Sequence, residues 1–441
     1  MSLTTPESVR KLQRALYAKA KADPEYRFYA LYDKIHRKDV LEYAWRCCRA
    51  NKGAAGVDQE TFEQVEAEGV EGWLDRLAEE LKTKTYRTQA VKRVWIPKAD
   101  GKQRPLGIPI VKDRVAQMAA VIVLEPIFEA DLAEEQYAYR PGRNAHGAIR
   151  EVHGLLNRGY REVIDADLVS YFDSIPHHEL MQSLARRISD GAILSLLKAW
   201  LQMAVEEEDG RGAKKRTTVN KDTGRGTPQG APISPLLSNV YMRRFILGWK
   251  QQGWEKALEA KIVNYADDFV IVCRKKSAEV MTRMETILRR IKVEVNRQKT
   301  RIYTVPKESF DFLGYTFGRC YSKRTGRAYI GAQPSRKRVQ RLCGTISQMT
   351  QRTTTLKEAE VMIKGLNSRM RGWSVYFKLG PVNKAYRAID THARHRLRQW
   401  LRRKHRIQGQ SGTRFSDEYF YKNLGLLRLE KLAADLPWAK A

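Results

Sequence analysis

The sequence has no hydrophobic run long enough to cross a membrane, and it has few cysteines. Its longest uninterrupted apolar run, Met118 to Leu124, has seven residues, whereas a membrane-spanning helix needs roughly 20. The amino-terminal MSLTTPESVRK lacks the apolar stretch of a secretory signal. Five cysteines occur in 441 residues and none belongs to a CxxC pair, which argues against a zinc ribbon and a disulfide framework. These absences predict a soluble, cytoplasmic protein with no membrane partner.

Acidic residues are too few to balance the basic ones. The chain has 81 Lys and Arg against 50 Asp and Glu, a net charge of +31. Residues 331–410 contain 19 of these basic residues and three acids. An excess of this size predicts a polyanionic partner. The composition, 42% apolar and 30% charged, is that of a globular protein, and its length allows two to three domains at roughly 150 residues each.

The most basic part of the chain has the pattern of an amphipathic helix. Apolar residues from Tyr386 to Leu401 recur at three- and four-residue steps. Arg394, Arg398 and Arg402 lie four residues apart on another face. A solvated face without a partner is the alternative, but such faces normally mix charges of both signs. We therefore expect this stripe to bind nucleic acid rather than an anionic membrane.

The pattern of the chain divides it into four parts. Residues 1–55 are predicted to be a helical extension that ends at the loop NKGAAG. Residues 56–330 mix short β-like runs with helical patterns, and one such helix is expected to end before Pro126. Residues 331–405 are predicted to be helical, and residues 406–441 form a short tail. Irregular alternation of strands and helices predicts an α+β fold.

Carboxylates occur where two predicted strands end. Apolar runs between Lys261 and Cys273 flank Asp267 and Asp268, which would lie at a hairpin tip. Asp165 and Asp167, two positions apart, would share one face of another strand. A turn that merely favours aspartate is the simpler explanation for an isolated pair of acids. Acids on two strands also match the oxygen ligands that two Mg²⁺ ions, roughly 3.5–4 Å apart, need for nucleotidyl transfer. The sequence leaves open whether the strands are neighbours.

At this point the sequence resembles a known family. The tetrad YADD (265–268) and the segment DADLVSYFDSIPHHEL (165–180) resemble the catalytic motifs of group II intron-encoded reverse transcriptases and maturases. The resemblance implies that Asp167 and Asp267 are the principal catalytic metal ligands, with Asp268 as their companion, and that two Mg²⁺ ions are the cofactors. Asp165 is not in the family's catalytic set.

The resemblance also implies a nucleotide site. IPKADGKQRPLGIP (96–109) resembles the fingers motif that holds the triphosphate, which nominates Lys98 and Arg104. An ammonium and a guanidinium across a turn can hold phosphate oxygens from two sides, although a charged hairpin tip is the plainer alternative. GTPQGAPISPLLSN (226–239) places Gln229 beside the nucleotide. Phe172 matches the aromatic position under the sugar, where a ring would collide with a 2′-hydroxyl.

Further motifs follow in the family's order over roughly residues 50 to 430. They imply a right-hand polymerase with fingers and palm at 56–330 and a helical thumb or maturase domain at 331–405. They are GVDQETF (56–62), YAYRPGRNAHGAI (137–149), NRQKTRI (296–302), FDFLGYTF (310–317), LNSRMRGWSVYFKLG (366–380) and GTRFSDEYFYKNLGLLRL (412–429).

The implied function is RNA-directed DNA synthesis combined with binding of a group II intron RNA, which promotes splicing and mobility. The implied partners are that RNA as template, a DNA primer or target, and dNTPs. No paired cysteines and histidines follow Trp400, so we expect no endonuclease. Two alternatives stay open: a splicing maturase without polymerase activity, and a related reverse transcriptase recruited to defence. The sequence does not indicate an oligomeric state.

Overall fold

Strands and helices alternate irregularly along the chain, which confirms the predicted α+β class. The computed structural model describes residues 3–97, 103–208, 213–322, 324–407 and 415–434. The strands in these ranges are β1 Val91–Pro97, β2 Gln103–Ile108, β3 Glu162–Ala166, β4 Val205–Glu208, β5 Lys214–Thr217, β6 Ala260–Tyr265, β7 Asp268–Cys273, β8 Arg301–Thr304, β9 Phe310–Phe312, β10 Tyr315–Tyr321 and β11 Ala328–Pro334.

The helices lie mainly before the first strand, between the strands and after the last one. They are α1 Glu7–Ala22, α2 Tyr32–Ile35, α3 Lys38–Ala50, α4 Phe62–Glu68, α5 Val70–Lys82, α6 Val111–Glu129, α7 Ala145–Asn157, α8 Tyr171–Ser174, α9 His177–Ala185, α10 Gly191–Leu201, α11 Val219–Thr223, α12 Ser234–Gln251, α13 Trp254–Ala257, α14 Ser277–Arg290, α15 Arg336–Met349, α16 Ala359–Tyr376, α17 Asn383–Lys404 and α18 Leu429–Ala434. No helix in the described ranges has the length and apolar character needed to span a bilayer.

The described strands form three sheets. The central sheet has the order β6-β7-β3-β8, and each neighbouring pair is antiparallel. Its two middle strands are rich in Val and Ile and largely buried, because helices or a second sheet cover both of its faces. A second sheet, β2-β1-β4-β5, contains the predicted fingers hairpin, and a third sheet has the order β11-β10-β9.

The buried side chains form three clusters. One joins α1–α5 with α6, α12 and α14, so the amino-terminal helices share a core with the region that follows them. A second connects the central sheet with β9–β11 and with Phe377 and Leu379. The third joins α15–α17 with the tail residues Phe415, Phe420 and Leu429. The exact domain boundaries predicted at residues 55, 330 and 405 stay predictions.

Helix α6 continues through Pro126, so the prediction that it ends before this proline was wrong. Proline has no backbone N–H, and the carbonyl four residues earlier therefore loses its helical partner. That carbonyl belongs to Ile122, and it accepts a hydrogen bond from Gln13 Nε2 at 3.1 Å. Helix α1 thus supplies the donor that the proline removes.

The chain between α16 and α17 lies close against the third sheet. Gly380 has φ +68°, and a Cβ atom there would lie 1.9 Å from the carbonyl oxygen of Ala332, so only glycine fits. The carbonyl of Tyr376 contacts His146 Nε2 at 2.6 Å and accepts from the Tyr315 hydroxyl at 2.7 Å. These contacts hold the end of α16 and the segment that follows it against the third sheet and α7.

Candidate active site

The acidic hairpin is a tight turn between β6 and β7. Tyr265 pairs with Asp268 across the strands, which leaves Ala266 and Asp267 as the two turn residues. Ala266 has φ +58°. This left-handed backbone conformation is the one that two-residue hairpin turns require, and it costs free energy in any residue other than glycine. Asn264 Nδ2 donates to the Ala266 carbonyl at 2.8 Å and holds the turn.

The outer edge of β6 is also paired at this point. Asn264 N–H donates to the Glu135 carbonyl at 2.9 Å, and Tyr137 N–H donates to the Asn264 carbonyl at 3.0 Å. The acidic turn is therefore held from two sides, by β7 and by the segment 135–137.

The two acidic strands are neighbours, which the sequence had left open. Strand β3 pairs with β7, and Ala166 lies opposite Phe269, so the next position along each strand brings Asp167 opposite Asp268. A cavity of about 260 Å³ opens beside them, and Asp165 and Asp311 also line it together with Lys299. The expectation that Asp165 and Asp167 share one face is met.

The carboxylates in this cavity carry more negative charge than the protein neutralises. Partial burial and the charges of Asp267 and Asp167 raise the pKa of Asp268 to about 6. Asp268 remains exposed towards the cleft. Burial and the nearby acids raise the pKa of Asp165 to about 7. Lys299 Nζ lies 3.3 Å from Asp167 Oδ2 and offsets part of this charge. Uncompensated carboxylates of this kind favour a bound cation.

The donor set fits Mg²⁺ by its chemistry, because every side-chain donor is a carboxylate oxygen. Among the described residues, however, no three His, Cys, Asp or Glu side chains are close enough together to hold a metal ion as they stand. Asp267, at the tip of the turn, lies within electrostatic range of Tyr139. Burial raises the pKa of that tyrosine, and the charge of Asp267 raises it further.

A second cavity, of about 390 Å³, brings together residues from distant motifs. Arg104, Phe172 and Gln229 all line it, as does Tyr139. Tyr139 lies within electrostatic range of Asp267, Asp268 and Arg104, which connects this cavity with the acidic turn. Phe172 is 7% exposed. Lys98 lies outside the described residues.

A chain of hydrogen bonds orders the polar wall of this second cavity. Arg104 Nε donates to Gln229 Oε1 at 3.1 Å, and Gln229 Nε2 donates to Asp173 Oδ2 at 3.0 Å. The Gln229 amide is thus fixed between a cation and an anion. Asp173 follows Phe172 directly in the sequence, but spacing alone did not indicate that it contacts Gln229.

Sequence reasoning also missed the part that the amino-terminal region plays here. Arg114, Asn51 and Gly53 line the same cavity. The Arg114 side chain is nearly buried, lies over the Phe62 ring and donates to the Ala54 carbonyl at 2.7 Å. A Cβ atom at Gly53 would lie 2.3 Å from Arg114 Nη1. Gly53 of the NKGAAG loop was the available signal, since it permits this close approach.

The basic stripe of α17 contacts the tail of the same chain. Arg394 and Arg398 both pair with Asp417, the latter with 2.8 Å between Nη2 and Oδ1. Arg398 Nε also donates to the Phe415 carbonyl at 2.9 Å. Arg402 is exposed, and its Nε donates to the Ile407 carbonyl at 3.2 Å. Two of the three arginines therefore have an acidic partner within the chain, and RNA binding by the stripe stays a prediction.

Comparisons with known proteins agree with these features. The family model "Reverse transcriptase (RNA-dependent DNA polymerase)" matches residues 96–317, half of the chain, and "Group II intron, maturase-specific domain" matches residues 339–418. Protein YkfC of Escherichia coli (strain K12) is 32% identical over 368 residues, which cover 75% of this chain and 93% of YkfC.

More distant similarities extend to other proteins. Group II intron-encoded protein LtrA of Lactococcus lactis subsp. cremoris is 28% identical over 352 residues, which cover 65% of this chain and 56% of LtrA. This chain therefore matches about half the length of LtrA. A solved chain from a partial Cas6-RT-Cas1–Cas2 complex is 20% identical and covers 59% of this chain and 42% of its own, with a TM-score of 0.33.

Proposed function

Because the chain belongs to the reverse transcriptase family and carries a group II intron maturase-specific domain, we propose that it is an RNA-directed DNA polymerase that also binds a group II intron RNA and promotes its splicing and mobility. In the proposed reaction the 3′-hydroxyl of a DNA primer attacks the α-phosphate of a dNTP, and pyrophosphate leaves. The observation that carries the proposal is the location of Asp167 opposite Asp268, close to the cavity lined by Arg104, Phe172 and Gln229.

The carboxylates have a defined part in this reaction. Asp167, Asp267 and Asp268 would hold two Mg²⁺ ions, which supply activation of the primer hydroxyl and stabilisation of charge on the phosphates when bound. Lys299 contacts Asp167 Oδ2 and orients that carboxylate from the side of β8. The hydrogen bond from Asn264 to Ala266 keeps the turn in one conformation, so the two adjacent acids do not reorganise during each cycle.

The cavity lined by Arg104, Phe172 and Gln229, called the nucleotide cavity from here on, binds and orients the dNTP in this proposal. Arg104 presents its forked guanidinium to the triphosphate, and this group suits phosphate oxygens. Gln229 Oε1 accepts a hydrogen bond from Arg104 Nε and so holds the guanidinium in place. Lys98, in the same motif, is proposed as the second triphosphate ligand. The ring of Phe172 lies under the sugar and excludes a 2′-hydroxyl. Leu106, Met118 and Pro232 form the apolar part of the wall and exclude water.

The maturase function is proposed from the matched domain and its charge. Residues 339–418 match the maturase-specific model, and most of the basic excess of residues 331–410 lies within them. The RNA backbone is the polyanion that this charge suits. The presence of Asp167, Asp267, Asp268, Arg104 and Gln229 supports a polymerase over a maturase that has lost synthesis, and the maturase domain supports intron RNA over a role in defence. The cytoplasmic location stays a prediction.

Primer extension on an RNA template tests the proposal. Asp167→Ala or Asp267→Ala should lower dNTP incorporation by roughly 100-fold or more, because each removes a carboxylate that holds the metal ions. Affinity for the RNA template should persist. Asp222→Ala is the matched control, since Asp222 is an exposed acid of α11 whose contact is with Thr218. Substantial incorporation by either active-site variant would contradict the assignment.

A further inference from the structure

The described part of the chain has a third cavity, apart from the two already discussed. It measures about 890 Å³ and lies between the segment 24–27, the end of α6, and helices α9, α12 and α14. None of its lining residues lines the nucleotide or the carboxylate cavity. Its volume is in the range typical of sites for small molecules and cofactors.

Arginine dominates the lining of this cavity. Six arginines line it against two acids, Glu25 and Asp131, and three glutamines add polar groups. The arginines come from four separate parts of the chain and are Arg27, Arg186, Arg187, Arg243, Arg244 and Arg290. We call this site the arginine cavity. A solvated surface normally mixes charges of both signs, whereas here one sign prevails within a concave space.

Three of these arginines have structural contacts. Arg187 is 4% exposed, donates to the backbone carbonyls of Ala20, Asp23 and Tyr26, and pairs with Asp131 at 3.1 Å. Arg243 Nε donates to the Asp131 carbonyl at 2.6 Å. Arg244 donates to the Glu179 carbonyl and to Ser183 Oγ, each at 3.0 Å. These bonds fix the walls, and they engage Asp131, one of the two acids.

The remaining arginines keep donors available. Arg186 and Arg290 are exposed, and their side chains make no hydrogen bond or ion pair with any residue in the described ranges. Arg27 uses its Nε on the Ala185 carbonyl at 3.0 Å, which leaves its two terminal nitrogens. Free guanidinium groups therefore reach the cavity from the segment 24–27, from the end of α9 and from α14.

The walls of the cavity also show electrostatic strain. Burial lowers the pKa of Arg243; the charge of Asp131 opposes this shift, while those of Arg186 and Arg187 add to it. Like charges this close repel one another unless an anion lies between them. Guanidinium groups bind phosphate oxygens through paired N–H donors, so phosphate is the anion that suits several arginines around one space.

We propose that the arginine cavity is a second phosphate-binding site, separate from the nucleotide site, for a ligand with several linked phosphates. A free polyphosphate and a stretch of RNA backbone share this chemistry. Either ligand would connect the amino-terminal segment with α9, α12 and α14 and would therefore stabilise the fold around them. The proposal does not depend on polymerase activity.

Sodium tripolyphosphate is the first probe, titrated calorimetrically without divalent metal into the full chain. The Arg104→Ala variant serves as the background, because that substitution weakens phosphate binding in the nucleotide cavity. Adding Arg186→Ala and Arg290→Ala should then weaken tripolyphosphate binding by tenfold or more. A loss of this size is expected when charge-assisted hydrogen bonds are removed. The matched control carries Arg14→Ala and Arg324→Ala in the same background, since both arginines are exposed and lie outside the cavity.

Short single-stranded RNA is the second probe, measured by fluorescence anisotropy over a range of salt. A larger loss of RNA affinity in the cavity variant than in the control identifies RNA backbone as the ligand. A loss confined to tripolyphosphate identifies a free polyphosphate. The thermal transition without ligand should be unchanged in both variants, because the guanidinium groups of Arg186 and Arg290 make no hydrogen bond or ion pair with the described residues. Equal behaviour of cavity variant and control towards both probes would overturn the proposal.

Discussion

Asp173 acts at the proposed nucleotide site through its neighbours. Its Oδ2 accepts from Gln229 Nε2, whose Oε1 accepts from Arg104. Burial raises the pKa of Asp173, and the hydrogen bond from Gln229 and the charges of Arg93 and Arg104 oppose that shift. We interpret Asp173 as a positioning residue that fixes which end of the Gln229 amide faces Arg104.

Replacing Asp173 should therefore affect nucleotide binding more than chemistry. In Asp173→Ala the Gln229 amide can rotate, and we expect the KM for dNTP to rise about tenfold, with a smaller change in kcat. Asp173→Asn keeps an oxygen acceptor for Gln229 and should recover most of the loss. Single-nucleotide kinetics measure both constants. A fall in kcat at constant KM, or no recovery by Asn, would contradict the positioning role.

Glu125 makes the folding stability of the protein depend on pH. Burial and the charge of Glu129, one turn away, raise the pKa of Glu125 from 4.5 to about 7. A carboxyl with a raised folded pKa binds its proton more tightly in the folded state, so its contribution to stability falls as pH rises from about 4.5 to about 7. Above that range the loss is complete, because Glu125 is then ionised in both states.

Glu125→Gln should raise the thermal transition more at about pH 8 than at about pH 5, since the amide carries no charge at either pH. Unfolding scans of the wild type and the variant at the two pH values measure the difference. Glu42→Gln is the control, because Glu42 is exposed on α3. An equal effect at both pH values would argue against a raised pKa.

Individual residues of the site were predictable to different degrees. The acids in YADD and in the strand before it stand out because carboxylates among Val and Ile need a compensating charge. Gln229 and Arg104 were nominated from separate motifs, and the structure brings them to 3.1 Å. Asp173, Tyr139 and Arg114 were not found, because their roles depend on contacts between segments far apart in the chain.

At the level of elements, the sequence predicted strands better than helix ends. The β-like run at 91–97 coincides with β1, and the run at 261–273 contains β7 and all of β6 except its first residue, Ala260. Strands β4 and β5 were missed: they are short, and charged residues such as Glu206 and Lys215 fill them. The end of α6 was placed too early because Gln13, which satisfies the Ile122 carbonyl, lies 109 residues away.

The pairing of α1 with α6 can be tested by a double-mutant cycle. Gln13→Leu leaves the Ile122 carbonyl without a partner and should cost about 1–3 kcal/mol, seen as a lower thermal transition. In a Pro126→Ala background the restored N–H at position 126 can bond to Ile122, so the same change should cost less. Equal costs in the two backgrounds would show that Gln13 acts in some other way.

For the whole molecule, the basic excess was predictable but its arrangement was not. Arg394 and Arg398 fall on the expected stripe, yet Asp417, outside the stretch with few acids, pairs with both. The arginine cavity was missed because its arginines are spread from position 27 to position 290. Net charge is a property of composition, whereas a charged cavity is a property of packing.

This arrangement separates two effects of removing charge from α17. Arg402→Ala should weaken RNA binding and reduce the dependence of log affinity on log salt by roughly 0.7–0.9 for each phosphate that the arginine neutralises. Its thermal transition should change little, because the side chain loses only an exposed hydrogen bond to the Ile407 carbonyl. Arg398→Ala should lower the thermal transition as well, because it releases Asp417 and the Phe415 carbonyl. Filter binding across a salt series and unfolding scans measure the two effects. Parental affinity and salt dependence in the folded Arg402 variant would mean that this position is solvated surface.

The pairing of Asn264 with residues 135–137 has a consequence for crowded conditions. Strand β6 is at the edge of the central sheet, and an open edge can recruit an extended segment of another chain and start aggregation. The bonds from Asn264 to Glu135 and Tyr137 already use the edge donor and acceptor beside the acidic turn. Several copies of the chain at high concentration can therefore lie side by side without one chain adding a strand next to the acidic turn of another.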